Sequence, residues 1–210
     1  MRDLLLLGAS GLAREAATAL SGHRVVGVLD DDQALRGHRV GGVLILGGLD
    51  HAADLDTELL ICVGTGAARQ AIAERLEAIG VGIERFATVI HPSVDVPAGC
   101  RIGRGSLLLA GVVLTADVTI GRHVVVMPNC TLTHDDVIDD YATLAAGVSL
   151  GGGVHVGKAS YLGMNSAVRQ HVAIGGGAIV GMSAAVVNDV PPGQIWVGVP
   201  AAPMMERVSG

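Results

Sequence analysis

From Ile90 to Val186 every sixth residue is Val, Ile or Leu: Val96, Ile102, Leu108, Leu114, Ile120, Val126, Leu132, Ile138, Leu144, Leu150, Val156, Leu162, Val168, Ile174 and Val180 occupy the positions between. A period of six matches neither the helical 3.6 nor the alternation by two of a half-buried strand. It fits a chain that makes a short strand, turns at a glycine-tolerant corner and repeats, with three steps closing one triangular coil. The aliphatic side chain points inward at each step. Coils then stack at about 4.8 Å by parallel pairing, so that like residues form ladders. Glycine often follows the aliphatic, as at Gly103, Gly121, Gly151, Gly157, Gly163, Gly175 and Gly181. Four positions on, the residue is small or β-branched, as at Val112, Val124, Cys130, Val148, Ser160, Ser166 and Ala184. Fewer than six coils, roughly 25–30 Å in all, fit between these limits. A sandwich of ordinary strands would need alternation by two, with turn signals about every 8–12 residues, and the segment lacks that pattern.

Residues 1–87 carry no such period. Leu4–Leu7 reads as a buried strand, Gly8-Ala9-Ser10-Gly11 as a tight turn, Leu12–Leu20 as an Ala-rich helix, and Val25–Leu29 as a second strand ending at Asp30-Asp31-Asp32. Leu59–Val63, Gly64-Thr65-Gly66 and the helical Ala67–Ile79 repeat the plan of strand, glycine turn and helix. This predicts a small Rossmann-like α/β domain over residues 1–87, followed by an all-β parallel helix over 88–210. The glycine turn would offer backbone N–H groups and a helix N-terminus to phosphate oxygens, and the aspartates would sit where a ribose or base is read. Gly8-x-x-Gly11 alone is an incomplete dinucleotide fingerprint, whose other reading is a plain strand-to-helix turn, and nucleotide binding is the favoured one of the two. About 87 residues cannot supply both halves of an NAD site and a substrate domain.

Aromatic residues make up 2 % of the chain while glycine numbers 31, so the core must be filled by small aliphatics. Mean hydropathy is +0.53, yet Gly, Asp, Arg or His interrupts every apolar run before the roughly 18 residues of a membrane helix. The leucines after Met1-Arg2-Asp3 are too few for a signal peptide, and the expectation is a soluble, cytoplasmic protein. Cys62, Cys100 and Cys130 are odd in number and lack metal-type spacing, which suits buried, non-catalytic thiols in a reducing compartment. A net charge of −6 without a Lys/Arg cluster argues against a nucleic-acid partner.

His91, His123, His134, His155 and His171 fall in the repeat segment. Only His123 and His171 share a phase, and they are not a whole number of coils apart, so a three-histidine metal site is hard to assemble within one chain. His134 stands apart. One coil further on, Gly151-Gly152-Gly153 stacks on Thr133-His134-Asp135 and clears the side chains from above the imidazole. An imidazole beside a slot, oriented by Asp135 or Asp136, is what a general base for an amine or hydroxyl nucleophile requires, and the Gly152 N–H could steady an oxyanion. Asp136 breaks the pattern of its phase, which is otherwise small and inward-facing. Transfer would be direct, without an acyl-enzyme, and the rate would fall on the acid side as the imidazole protonates.

Leu7-Gly8-Ala9-Ser10-Gly11, Leu29-Asp30-Asp31, Thr133-His134-Asp135, Leu162-Gly163-Met164-Asn165-Ser166 and Val197-Gly198-Val199-Pro200-Ala201 together resemble the sialic-acid O-acetyltransferase-like sugar acetyltransferases. These belong to the hexapeptide-repeat superfamily and include N-acetyltransferases of nucleotide-linked 4-amino-sugars. The resemblance implies a left-handed parallel β-helix, a homotrimer, and acetyl transfer from acetyl-CoA to a sugar, without a metal. By the same resemblance His134 is the base and Asp135 raises its basicity, while Gly152 lies near the thioester carbonyl. Acetyl-CoA would lie between adjacent β-helices against Thr143, Met164 and Met182, and the sugar nucleotide would meet Ser10, Gly11, Asp30 and Asp31. The chain departs from the family at Leu12, where histidine is frequent, and at Asp136, where cysteine is common. A sialic acid O-acetyltransferase, a non-catalytic trimeric assembly protein, and a metal-dependent hydratase of the γ-carbonic-anhydrase type are the other readings.

Overall fold

The computed structural model describes residues 1–204; the end of the segment assigned to the second domain, residues 205–210, lies outside the described residues. The chain begins with β1 (Arg2–Leu7), α1 (Gly11–Thr18), β2 (His23–Leu29), a hairpin of β3 (Arg39–Val40) and β4 (Val43–Gly47), β5 (Glu58–Ile61) and α2 (Gly66–Ala78). The sheet order is β3-β4-β2-β1-β5, parallel except for the β3–β4 pair. β1 lies between β2 and β5, and its run of leucines is buried on both faces, as parallel sheets covered on both sides require. Leu4 and Leu6 pack with α1, Leu5 and Leu7 with α2. The strands and helices expected from the sequence are present within a few residues of their expected ends. The β3–β4 hairpin was not expected, because Val43–Gly47 is a short apolar run framed by glycines.

The chain leaves this sheet at Phe86, which bridges to Leu59, and enters the first coil at Val89–Ile90. From Arg101 to Val186 two-residue strands recur every six residues and stack into three sheets, parallel throughout except where one ends in an antiparallel pair of Ile195–Val197 with Ala202–Pro203. Thr119 pairs with Arg101 on one side and Val137 on the other, an offset of 18 residues per coil. From Leu108 to Val186 the inward aliphatics form one continuous buried core. Val96 departs from the expectation: it is 37 % exposed, because it lies in the first coil with no complete layer beneath it.

The corners are not where glycine was expected to make them. From Gly99 to Ser183 every sixth residue has a positive φ, between 53° and 99°, and this position falls three residues after the inward aliphatic. Asp117, His123, Asn129, Asp135, Asn165 and His171 are among its occupants, residue types that tolerate this conformation better than most. The glycine directly after the aliphatic answers a different need. A Cβ on Gly121 would lie 2.6 Å from Asp140 N, in the backbone of the next coil, so close stacking excludes a side chain there.

The two parts share their packing. The face of the N-terminal sheet carrying α1 buries Leu107, Leu109 and Val125 of the column, while Phe86 and Tyr141 join the leucines and α2 on the other.

Candidate functional site

His134 sits at a corner of the column with Asp135 in the left-handed position, φ 64°. Asp135 Oδ2 lies 2.8 Å from His134 Nδ1, fixing the ring, and Nε2 has no hydrogen-bond partner among the described residues. Both side chains are exposed, His134 at 64 %. The ring lies across Gly152 so closely that a Cβ on Gly152 would collide with Nε2 and Cε1. Gly153 N donates to His134 O at 2.9 Å, binding the two coils at this point. Among the described residues no acceptor takes the Gly152 N–H. Asp136 is wholly buried beneath the histidine. Its carboxylate accepts from Thr133 N and Val154 N, each at 2.8 Å, and burial pushes its pKa up to about 6 against the pull of those two bonds.

A second feature lies on another face of the column. A cleft of about 880 Å³ opens between the starts of α1 and α2 and the strands Val125–Val126, Thr143–Leu144, Tyr161–Leu162 and Ile179–Val180, and its wall is mostly apolar. Thr143, Met164, Gly11 and Leu12 line it, as do Gly64 and Thr65 at the start of α2. Met182 stands one coil above Met164 and is 71 % exposed. Thr143 is buried, and its hydroxyl is committed: it donates to Gly64 O at 3.0 Å and accepts from Arg69. His134 and Gly152 are not part of this cleft, so one chain carries the sequence-predicted residues in two separate groups.

The remaining candidates are held in internal bonds. Ser10 caps α1, accepting from Ala13 N and donating to Cys62 O. Asp30 accepts from Ala9 N at 2.7 Å and from Asp32 N, so its carboxylate shapes the first glycine turn. Asp31 accepts from Leu49 N and pairs with Arg75, whose hydrogen bonds hold its pKa below the usual carboxylate range. Asp30 and Asp31 border a polar cleft of about 710 Å³, while Ser10 and Gly11 border a smaller one of about 250 Å³ beside Arg14 and Arg39.

Arg69 escaped the sequence reading. It is 1 % exposed, and its guanidinium donates to His123 O, Val63 O, Gly64 O, Tyr141 O, Ala142 O and Thr143 Oγ1 at 2.7–3.0 Å, joining α2 to the column at the wall of the cleft. No carboxylate pairs with it among the described residues, and burial pushes its pKa down to about 10. On a surface-like helix pattern, an arginine beside Gln70 carried no signal of this role. His123 is buried between Phe86 and Tyr141, stacked on the tyrosine at 5.2 Å, and burial pushes its pKa down to about 4. Cys62 and Cys130 are buried with their thiols pushed up, and Cys100 is half-buried.

No family model matches the chain. A Schizosaccharomyces pombe protein named as an acetyltransferase is 32 % identical over 139 residues, 63 % of this chain and 66 % of that relative. The chain spans only 28 to 33 % of the bacterial UDP-sugar acyltransferases that also match. The acetyltransferase domain of PglB from Neisseria gonorrhoeae, solved in complex with acetyl coenzyme A, superposes with a TM-score of 0.87 at 29 % identity, covering 97 % of this chain and 99 % of that one. PerB from Caulobacter crescentus, solved with CoA and GDP-perosamine, gives 0.88 at 29 % identity, with 97 % of each chain covered. The relatives that match are acetyltransferases and acyltransferases, and the structural neighbours that cover nearly the whole chain are sugar N-acetyltransferases.

Proposed function

We propose that this protein transfers an acetyl group from acetyl-CoA to an amino or hydroxyl group of a sugar, with a nucleotide-linked 4-amino-4,6-dideoxy sugar as the favoured acceptor. The observation that carries the proposal is the His134–Asp135 pair lying across Gly152 at the column surface. His134 Nε2 takes a proton from the acceptor as its nitrogen or oxygen attacks the thioester carbonyl. The Gly152 N–H steadies the oxyanion, the C–S bond breaks, and the imidazolium returns the proton to the leaving thiolate. Asp135 holds the tautomer and orientation, as the carboxylate partner of a base does.

In this reading the column winds left-handed and three copies associate, so that the His134 corner of one copy meets the apolar cleft of its neighbour. The separation of the two groups of residues in one chain supports that arrangement. Thr143, Met164 and Met182 then face the CoA, and residues 1–87 hold the nucleotide. The two neighbours solved with CoA or acetyl-CoA, one of them also with GDP-perosamine, support the choice of substrates. Since Ser10 and Asp30 have committed side chains, they act by shaping the glycine turn, leaving its backbone to meet the phosphates. Leu12 makes the cleft mouth more apolar than a histidine would.

Acetyl-CoA consumption measured against UDP-, GDP- and dTDP-linked 4-amino-sugars and free sialic acid tests the proposal. One acceptor should turn over, and His134→Ala should lower its kcat by about 10²–10⁴-fold while acetyl-CoA still binds. Full turnover by His134→Ala, or no consumption with any of the four acceptors, defeats it.

A further inference from the structure

The stacking of the column follows a rule with one interruption. From Gly103 to Arg169, the N–H of the residue after each inward aliphatic donates to the carbonyl seventeen residues ahead, at 2.7–3.2 Å: Thr115 to Leu132, Met127 to Leu144, Asp139 to Val156, Gly151 to Val168 and so on. Thr133 alone does not. Its N–H turns to Asp136 Oδ2, and Leu150 O, the acceptor it leaves, is taken by the Thr133 hydroxyl at 3.0 Å. The strand pairing records the same gap, since Thr131 pairs with Ser149 but Leu132 has no partner in Leu150. The other oxygen of Asp136 takes the N–H of Val154, the residue that follows Gly151-Gly152-Gly153.

We propose that Asp136 is a positioning residue for acyl transfer: by diverting the Thr133 N–H and anchoring Val154, it opens the ladder by one bond and sets the His134 ring over Gly152. This rests on the reading of His134 as the base. Other coils close without a charge at this phase, using Val118, Val124, Cys130, Ala142, Val148 or Val154. A buried carboxylate is therefore not needed to build a coil, and burying one is costly unless both its oxygens are engaged. Here both are, and both tether backbone on either side of the same imidazole. Thr133 is the complementary half of the exchange, for without its hydroxyl Leu150 O would lose its donor. The charged groups facing Asp136 are His134 and Asp135, its own neighbours at the corner.

Asp136→Val, which restores the ordinary inward aliphatic, tests this. With the acceptor that turns over in the screen above, kcat should fall about tenfold or more, as sub-ångström misplacement of a base does. KM for acetyl-CoA should stay within about threefold and the thermal midpoint should not fall, a split that a general loss of structure would not give. A crystal structure of the variant, which needs no acceptor, should show Thr133 N returned to Leu150 O and the imidazole moved off Gly152. If Asp136→Val does not fold, Asp136→Asn serves: its amide can accept only one of the two N–H groups, so kcat should fall with KM unchanged. Wild-type kcat in whichever variant folds, or an unaltered corner in the crystal, overturns the proposal. His134→Ala keeps the two ideas apart. If that variant turns over normally the reading of the base fails, whereas a dead His134→Ala beside a fully active Asp136→Val removes only the role of Asp136.

Discussion

Replacing Arg69 by Met removes every hydrogen bond of the guanidinium while keeping much of its aliphatic volume. Of its acceptors, Ala142 O keeps a ladder bond from Val125 N, and Gly64 O keeps Thr143. Val63 O, His123 O and Tyr141 O have no other donor among the described residues. Each buried carbonyl left without a partner costs about 1–3 kcal/mol, and water entering beside the half-buried Val63 restores part of the sum. A net loss of about 3–5 kcal/mol follows. For a chain of this length that is a fall of roughly 6–20 °C in thermal midpoint, read by scanning calorimetry. Arg69→Lys should fall between, because an ammonium has three donors where the guanidinium has five. Limited proteolysis should report the loosening first where α2 meets the column, since that is the contact Arg69 makes. A midpoint within about 1 °C of wild type for Arg69→Met would refute the view that this residue fastens the two parts together.

Gly152→Ala should keep the fold but push the imidazole aside, since the new methyl would occupy the space of the ring; kcat should drop about 100-fold in steady-state assays, and unchanged kcat would count against the site. Asp136 makes stability depend on pH in the sense opposite to most carboxylates. Its folded pKa of about 6 lies above the ordinary carboxylate value of 3.8, so the native state holds the proton more tightly between these values and stability rises as pH falls through that window. Relative to Asp136→Asn, the wild type should gain about 2 kcal/mol between pH 7 and pH 4 in denaturant titrations, and a pH-independent difference would show that the carboxylate is not strained by burial.

The amino-acid sequence by itself determined the column. A buried ladder forces identical residue classes to recur at the repeat length, so the period of six was legible without any coordinates, as was the stacking of Gly152 on His134, which is eighteen residues of arithmetic. The strands and helices of the first 87 residues were legible for a similar reason, because glycine turns separate their apolar runs. Tertiary structure decided the rest. Which residue turns each corner depends on φ, and the glycines that looked like corners instead mark where one coil's backbone presses on another. Arg69 became a fastening only because its acceptors, drawn from residues 63 to 143, meet in space. Asp136 was visible as an exception, but the exchange of one ladder bond for a carboxylate and a hydroxyl is a matter of hydrogen-bond direction. Periodicity fixes which side chains face inward; it does not fix where each backbone N–H points.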